Sequence, residues 1–342
     1  MPDACMSDSC FGHQVPSIEE AFGRLYEILA SLLSKEQLEA LAAELGVDAE
    51  APPSSVSTPE LQEIFPRIML SVSLALTLET LEQFLTEALP EDLAAQSFAL
   101  GDAGRRVFLG GLDDERVRRI LDHMPDWVLL ETGRRALEGY PRYTATLRKE
   151  ERVEGKIAGV EVISLKNRES PRAFFLHWLD GPNKGRRVLY NEAVLGPGRI
   201  RVRERGLLGL AAVTIDVDSA LAKRGTNHLA TEIGLASLVS MLVKDYAVAA
   251  PRGHIRRVNH GLVTVDGQRG YRLESVLPRD PSLGYYAHRV IHDMDYLQGY
   301  PFRVEVYDFD DRLKERYHYQ NVDPSAPLTD RDFDPKNREL KL

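Results

Sequence analysis

The first 125 residues carry the hydrophobic pattern of helices. Ser17 and Glu20 have the spacing of a capping box, and apolar residues follow them every three or four positions; Ser34 and Gln37 repeat the signal. Pro90 is expected to end the densest apolar stretch. The pattern predicts roughly five helices, at about 17–33, 34–45, 61–89, 113–124 and 127–137.

Near Pro141 the period of the pattern changes from helical to alternating. Tyr143, Ala145 and Leu147 alternate with polar residues, which is typical of half-buried antiparallel strands. One helix, over 231–246, interrupts the series of strands. Strands are expected at about 143–148, 160–164, 172–179, 186–191, 198–204, 254–265, 269–276, 284–295, 301–309 and 313–321.

These two patterns predict two domains. A chain of 342 residues exceeds the ~150 residues that are typical of one domain. We expect a mobile tail at 1–15, an acidic helical domain at 16–125 and a sheet domain at 126–342 that contains the inserted helix. The fold class is therefore α+β, with an all-helical bundle followed by an antiparallel sheet.

Net charge separates the same two parts of the chain. With 43 Lys and Arg against 52 Asp and Glu, the net charge is −9, which makes nucleic acid a poor partner. Residues 1–125 hold 8 basic and 22 acidic residues, a net charge of −14, whereas the remainder holds 35 and 30, a net charge of +5. The acidic helical domain is thus suited to docking on a protein partner or on a second copy of the chain.

The sequence gives little sign of export, membrane insertion or metal binding. The first 20 residues lack the basic and apolar regions of an export signal, so we expect a cytoplasmic protein. The longest apolar run, 68–78, is shorter than the ~20 residues that cross a bilayer, so no membrane span is expected. Cys5, Cys10 and His13 supply too few ligands for structural zinc, and no metal or cofactor is expected.

Six stretches together carry a resemblance to a known family. They are Tyr143–Lys156, Gly185–Tyr190, Gly206–Leu210, Ala222–Gly234, Pro301–Asp308 and Leu328–Asn337. In this order, over residues 140–340, the chain resembles the bacterial family called domain of unknown function fifteen-seventy-one. That family is similar in architecture to the lipoprotein-carrier group, in which a curved antiparallel sheet wraps around one or two helices. The resemblance implies a half-barrel that holds an apolar group, and it implies no known reaction.

Aromatic residues and histidines on the strands supply the candidate ligand contacts. Aromatic side chains on strands belong to the core or line a cavity before they do anything else. His288 and His292, four positions apart on one expected strand, would lie ~13 Å apart, too far to share a metal ion. The candidate ligand-binding residues are Trp178, Tyr190, Tyr286, His288, His292 and Tyr307.

Four arginines, Arg199, Arg201, Arg203 and Arg205, recur at every second position. If 198–204 is a strand, these side chains project from one face of the sheet. Such a stripe suits an anionic group or an acidic partner, including the helical domain of this chain. Alternatively, it is a solvated edge strand that its charges guard against aggregation.

Three functions remain open at this level. The favoured one is a non-catalytic protein that holds an apolar or amphipathic small molecule, such as a lipid, or a protein segment in the half-barrel. The second is an enzyme that uses the same cavity for acid–base or cyclisation chemistry, which requires inward-facing groups such as His177, His288 or His292. The third is an assembly or scaffold component that acts through the acidic helical domain. The common nucleotide-binding, hydrolase and metalloprotease motifs are absent, which favours binding over catalysis.

Overall fold

The structure is a computed structural model that describes residues 11–45, 58–205 and 211–342. These residues form two units. The first contains the chain to Ala136 with 259–271 and 295–300, and the second contains 137–258, 272–294 and 301–342. Cys5, Cys10, the expected helix end at Gly46 and the motif at 206–210 lie outside the described residues.

Seven α-helices lie in the described part of the first unit. They are α1 (Ile18–Leu32), α2 (Lys35–Leu45), α3 (Thr58–Ala75), α4 (Leu78–Glu87), α5 (Pro90–Phe108), α6 (Asp114–His123) and α7 (Asp126–Ala136). The expected capping box is confirmed at α1, where the Glu20 amide donates to the Ser17 hydroxyl at 3.2 Å and the Ser17 amide donates to the Glu20 carboxylate at 2.9 Å. The expected domain boundary at 125 precedes α7, whereas the division between the units follows it.

The prediction of roughly five helices was wrong because Pro90 and Thr77 each mark the beginning of a helix that the pattern did not separate. Pro90 begins α5 instead of ending the preceding element, at a position where its missing amide proton has no helical acceptor to lose. Thr77 accepts a hydrogen bond from the Thr80 amide at 3.1 Å and thereby caps α4, so that the single stretch expected over 61–89 is two helices.

An antiparallel sheet of twelve strands in the described residues follows these helices. The strands are β1 (Arg142–Val153), β2 (Lys156–Ile157), β3 (Glu161–Arg168), β4 (Ala173–Asp180), β5 (Arg187–Asn191), β6 (Arg199–Arg203), β7 (Val213–Asp216), β8 (Arg256–Val265), β9 (Gln268–Val276), β10 (Arg289–Asp295), β11 (Tyr300–Tyr307) and β12 (Leu313–Asp323). Their order is β7-β6-β5-β4-β3-β1-β12-β11-β10-β9-β8, with β2 paired to β1. The sheet is therefore open, with β7 and β8 at its ends, and the α+β class is confirmed.

Two further helices, α8 (Glu192–Leu195) and α9 (Leu235–Ala249), are inserted among the strands. Two buried tyrosines of the sheet hold the beginning of α9, because the Tyr143 hydroxyl accepts from the Leu235 amide at 2.8 Å and the Tyr319 hydroxyl accepts from the Gly234 amide at 3.0 Å. These bonds satisfy amide groups that a helix start leaves without acceptors. We call the side of the sheet that carries these tyrosines the α9 face.

The expected helix over 231–246 begins later than predicted. Gly234 has a φ of 109° and a ψ of 162°, which are not helical angles, so α9 starts only at Leu235. Among the described residues, no helix is both long and apolar enough to cross a membrane.

Residues 328–342, called the strap, pack on the opposite side of the sheet, which we call the strap face. Phe333 and Leu340 of the strap join a buried cluster with Ala173, Phe175 and Leu189. Two ion pairs, from Lys166 to Asp332 at 2.6 Å and from Arg168 to Asp330 at 2.7 Å, fasten the same segment. The alternating aspartates of this stretch therefore pair with cations of the sheet. Among the described residues, no group of three or more His, Cys, Asp and Glu is placed to hold a metal ion.

Candidate functional site

A cavity of about 80 Å³ lies between the α9 face and residues 217–234, which connect β7 to α9 and which we call the covering segment. Its apolar wall is formed by Ile163, Leu176, Val188 and Ile200 of the sheet and by Leu238 and Met241 of α9. Its other end is polar and is lined by Lys149, Glu151, Glu161, Arg186, His228 and Glu232. The cavity thus offers an apolar surface that ends in a cluster of charged groups.

Glu151, at the polar end of the cavity, forms a pair with a second buried glutamate, Glu315. They lie directly opposite each other across β1 and β12, with 2% and 3% of their surfaces exposed. Like charges in this arrangement repel, so the pair requires compensation. For Glu151 this comes from the Tyr317 hydroxyl, from the Asn227 amide at 3.2 Å and from the Lys149 ammonium at 3.1 Å.

His228 of the covering segment compensates Glu315. The imidazole Nε2 of His228 lies 3.0 Å from Oε1 of Glu315, and its Nδ1 lies 3.2 Å from Oε2 of Glu232. The Tyr286 hydroxyl also donates to Oε2 of Glu315, at 2.8 Å. Three consecutive residues, Thr226, Asn227 and His228, therefore attach the covering segment to the two buried glutamates.

The charges of this cluster favour an ion pair. Burial lowers the pKa of His228, but Glu315, Glu151 and Glu232 outweigh it and raise that pKa above its ordinary value. Burial raises the pKa of Glu315, but His228, Tyr286 and Asn227 outweigh it and lower that pKa. Both imidazole nitrogens face carboxylates, which favours the doubly protonated form of His228. The cluster attaches the covering segment to the sheet.

Trp178 lines the cavity and carries an unused hydrogen-bond donor. Only 6% of the residue is exposed, and its indole Nε1 is buried without an acceptor in the described part of the chain. The Arg186 guanidinium lies over the indole ring, 5.3 Å from the centroid. A buried donor without an acceptor costs roughly 1–3 kcal/mol, which a bound acceptor would recover.

Residues 140–342 match the family model described as "Protein of unknown function (DUF1571)". The chain belongs to this family. The family expected from the sequence motifs is thereby confirmed. Among curated proteins, no match to the sequence is found.

Solved structures with a similar chain path include a lipoprotein and a LolA superfamily protein. Mycobacterium tuberculosis lipoprotein LppX is 13% identical, with 60% of this chain and 99% of that chain covered and a TM-score of 0.37. A LolA superfamily protein from Nitrosomonas europaea is 11% identical, with 60% and 96% covered and a TM-score of 0.29. A chain of the Pseudomonas aeruginosa MucA/MucB complex is 18% identical, with 59% of each chain covered and a TM-score of 0.34. These similarities concern the fold.

The six candidate ligand-binding residues are distributed over several places in this DUF1571 chain. Trp178 lines the cavity, and Tyr286 contacts Glu315 at its polar end. Tyr190 is buried on the α9 face, stacked on Phe174 with ring centroids 5.2 Å apart. Tyr307 is on the strap face, where its hydroxyl donates to Glu305 at 2.8 Å. Of the six, Trp178 alone is on the cavity wall, and Tyr286 lies in the glutamate cluster beside it.

The two candidate histidines are buried away from the cavity wall. His288 places Nδ1 2.5 Å from the Leu277 carbonyl and accepts a hydrogen bond at Nε2 from Arg279 at 3.0 Å. His292 is buried, its Nδ1 has no partner among the described residues, and burial lowers its pKa to about 4. His177, on the strap face, is half-buried.

Arg199, Arg201 and Arg203 project from the strap face of β6, but the four arginines have different neighbours. Arg199 lies opposite Asp216 and Arg203 lies opposite Arg187, whereas Arg205 follows the end of β6 and donates to the Pro182 carbonyl at 2.5 Å. The alternative interpretation as a guarded edge strand was wrong, because β6 is paired on both sides and the edge is β7.

Sequence reasoning missed the glutamates and His228, although a signal for them exists. Lys149 and Glu151 continue the inward parity of Tyr143 and Leu147 along β1, and Glu315 shares the parity of Tyr317 and Tyr319 along β12. Charged residues at inward positions of an alternating strand indicate a buried polar cluster. His228 belongs to one of the six stretches that carried the family resemblance, so its segment was noticed and its role was not.

Proposed function

We propose that this protein is a non-catalytic binding protein that holds a small amphipathic molecule in the cavity between the α9 face and the covering segment. The observation that carries the proposal is Trp178, whose buried indole N–H has no acceptor among the residues that the structure describes and lies on the wall of a cavity that is apolar over most of its surface. Ligand sites commonly combine an apolar wall with a few polar groups that orient the ligand.

The size of the cavity constrains the ligand. A volume of about 80 Å³ is well below the roughly 300–1,000 Å³ of sites for drug-sized molecules. The conformation described therefore accommodates a short chain with one polar group, or the end of a longer molecule. Entry of a longer apolar chain requires the covering segment to move away from Glu151 and Glu315.

Acid–base catalysis in the same cavity agrees less well with the geometry. Glu151 and Glu315 each accept hydrogen bonds from several protein donors, and both nitrogens of His228 face carboxylates. A general base needs an available lone pair directed at its substrate. The groups at the polar end are instead engaged with one another.

Fluorescence of Trp178 tests the proposal. Trp127 and Trp178 are the two tryptophans of the chain, so Trp127→Phe leaves Trp178 as the reporter. Titration with octanoate and with octanol should change its emission saturably for at least one of them. Leu238→Phe, which adds volume to the cavity wall, should abolish this change, and Leu273→Phe, a buried control on β9, should not. Native mass spectrometry of protein from its own host provides a second test. The proposal fails if no ligand co-purifies and neither amphiphile gives a saturable response.

A further inference from the structure

One histidine and two arginines stand in a row across the strap face. Cross-strand pairing places His177 of β4 opposite Arg187 of β5, and Arg187 opposite Arg203 of β6. Directly paired residues project from the same face with Cβ atoms roughly 4.5–5.5 Å apart. The row therefore covers two strand spacings, about 10 Å, on the face of β4, β5 and β6 opposite to the one that forms the cavity wall.

Two members of the row, His177 and Arg187, have no compensating carboxylate in the part of the chain that the structure describes. No carboxylate of the described residues lies within 4.0 Å of His177 or Arg187, and the guanidinium of Arg187 donates instead to the Gly185 carbonyl at 3.1 Å. Burial lowers the pKa of Arg187, and the charge of Arg203 lowers it further. Burial likewise lowers the pKa of His177, followed by the charges of Arg187 and Lys341. Like charges directly opposite each other on a sheet are destabilising, so this arrangement costs stability.

Two neighbouring groups extend the cationic surface. Arg201 shares the face of Arg203 on β6, and its Nε is buried without a partner among the described residues. Lys341 of the strap is exposed, and its carbonyl accepts from Arg203 at 2.7 Å. Because β6 lies inside the sheet, protection of an edge does not account for these charges.

We propose that this part of the strap face is a binding site for a phosphate group, held by Arg187, Arg201 and Arg203 with His177 and Lys341 beside it. Arginine presents a planar fork of donors that matches the oxygens of phosphate. The row is too short to follow an extended acidic peptide, and its width suits one compact oxyanion. The phosphate group belongs either to a soluble phosphate ester or to a lipid headgroup. This site is separate from the cavity and does not depend on the function proposed for it.

Calorimetry on the full chain tests the proposal with inorganic phosphate and glycerol 3-phosphate at constant ionic strength. Arg187→Gln and Arg201→Gln should each weaken binding at least about tenfold. Arg199→Gln, on the same strand and face but opposite Asp216, is the matched control and should bind as the wild type does. Thermal unfolding guards against misfolding: without phosphate, Arg187→Gln should be as stable as the wild type or more so, because repulsion is relieved.

Vesicles distinguish the two sources of the phosphate group. Saturable binding of glycerol 3-phosphate that depends on Arg187 identifies a soluble ester. Binding to phosphatidylcholine vesicles only when phosphatidylglycerol is added, again dependent on Arg187, identifies a lipid headgroup. The proposal is overturned if none of these probes binds or if Arg187→Gln and Arg199→Gln weaken binding equally. It is also overturned if polyglutamate, tested as an acidic peptide, binds and the phosphate probes do not.

Discussion

The imidazole Nε2 of His228 lies 3.0 Å from Oε1 of Glu315, and this contact joins the covering segment to strand β12. Glu315 is opposite Glu151 in the register of the sheet, so the histidine also offsets the repulsion between two buried carboxylates. The covering segment is thus attached to the sheet beside two buried carboxylates, where a positive charge offsets their mutual repulsion. Attachment of the segment and neutralisation of the glutamates are one interaction.

Replacement of His228 should make stability depend on pH in a defined way. The pKa of His228 is raised in the folded protein, so its contribution is complete below the unfolded value of about 6.5 and is lost as pH rises through the folded value. The pKa of Glu315 is lowered, so its contribution is present above about 4.3 and is lost as pH falls through the folded value. His228→Gln should therefore lower the free energy of unfolding by roughly 1.5–3 kcal/mol. The loss should be largest between about pH 4.3 and about pH 6.5, where both charges of the pair are present.

Urea unfolding of the wild type and of His228→Gln over a range of pH measures this difference. His177→Gln is the control, because His177 has no carboxylate partner among the described residues and its pKa is lowered rather than raised. A deficit for His228→Gln that stays constant from acidic to alkaline pH would contradict the ion pair.

Removal of the tyrosine hydroxyls that hold α9 should destabilise the second unit, which contains α9 and most of the sheet. Tyr143→Phe leaves the Leu235 amide without its acceptor, and Tyr319→Phe does the same to the Gly234 amide. Each change should cost roughly 1–3 kcal/mol in the free energy of unfolding, because a buried donor loses its partner. Urea unfolding measures both, and an effect near zero for both variants would show that these bonds do not hold the helix.

Gly234 should not tolerate a side chain. Its φ of 109° is one that L residues rarely adopt, and a Cβ there would lie 3.1 Å from the Tyr143 hydroxyl. Gly225, with a φ of 74° and open space around it, is a matched control in the same segment. Gly234→Ala should lower stability by about 1 kcal/mol or more beyond Gly225→Ala, as measured by thermal unfolding. Equal effects of the two substitutions would refute this account of the α9 start.

The strap should depend on Phe333. This side chain is fully buried among Ala173, Phe175, Leu189 and Leu340. Phe333→Ala should cost about 3–5 kcal/mol through lost burial and the cavity left behind. Phe333→Leu, which keeps most of the apolar volume, should cost about 1.5 kcal/mol or less. The two variants are compared by urea unfolding, and equal losses would indicate that the strap does not close over a packed core.

Much of the fold was predictable because backbone periodicity is local. The alternation at Tyr143, Ala145 and Leu147 predicted β1, and Ser17 and Glu20 predicted the start of α1. Local rules failed where one residue type serves two roles. Pro90 suits both the end of one helix and the beginning of the next, and only packing selects the second.

The sequence by itself determined most of the elements, the α+β class and the family. Only the tertiary structure decided which residues meet, because pairing of β1 with β12 joins positions more than 160 residues apart. That pairing sets Glu151 against Glu315, the covering segment brings His228 to Glu315, and the pairing of β4, β5 and β6 aligns His177, Arg187 and Arg203. Hydrophobic periodicity specifies the face of the strand on which a residue lies, but it does not specify which residue of another strand lies beside it. A cluster of charges depends on those cross-strand neighbours.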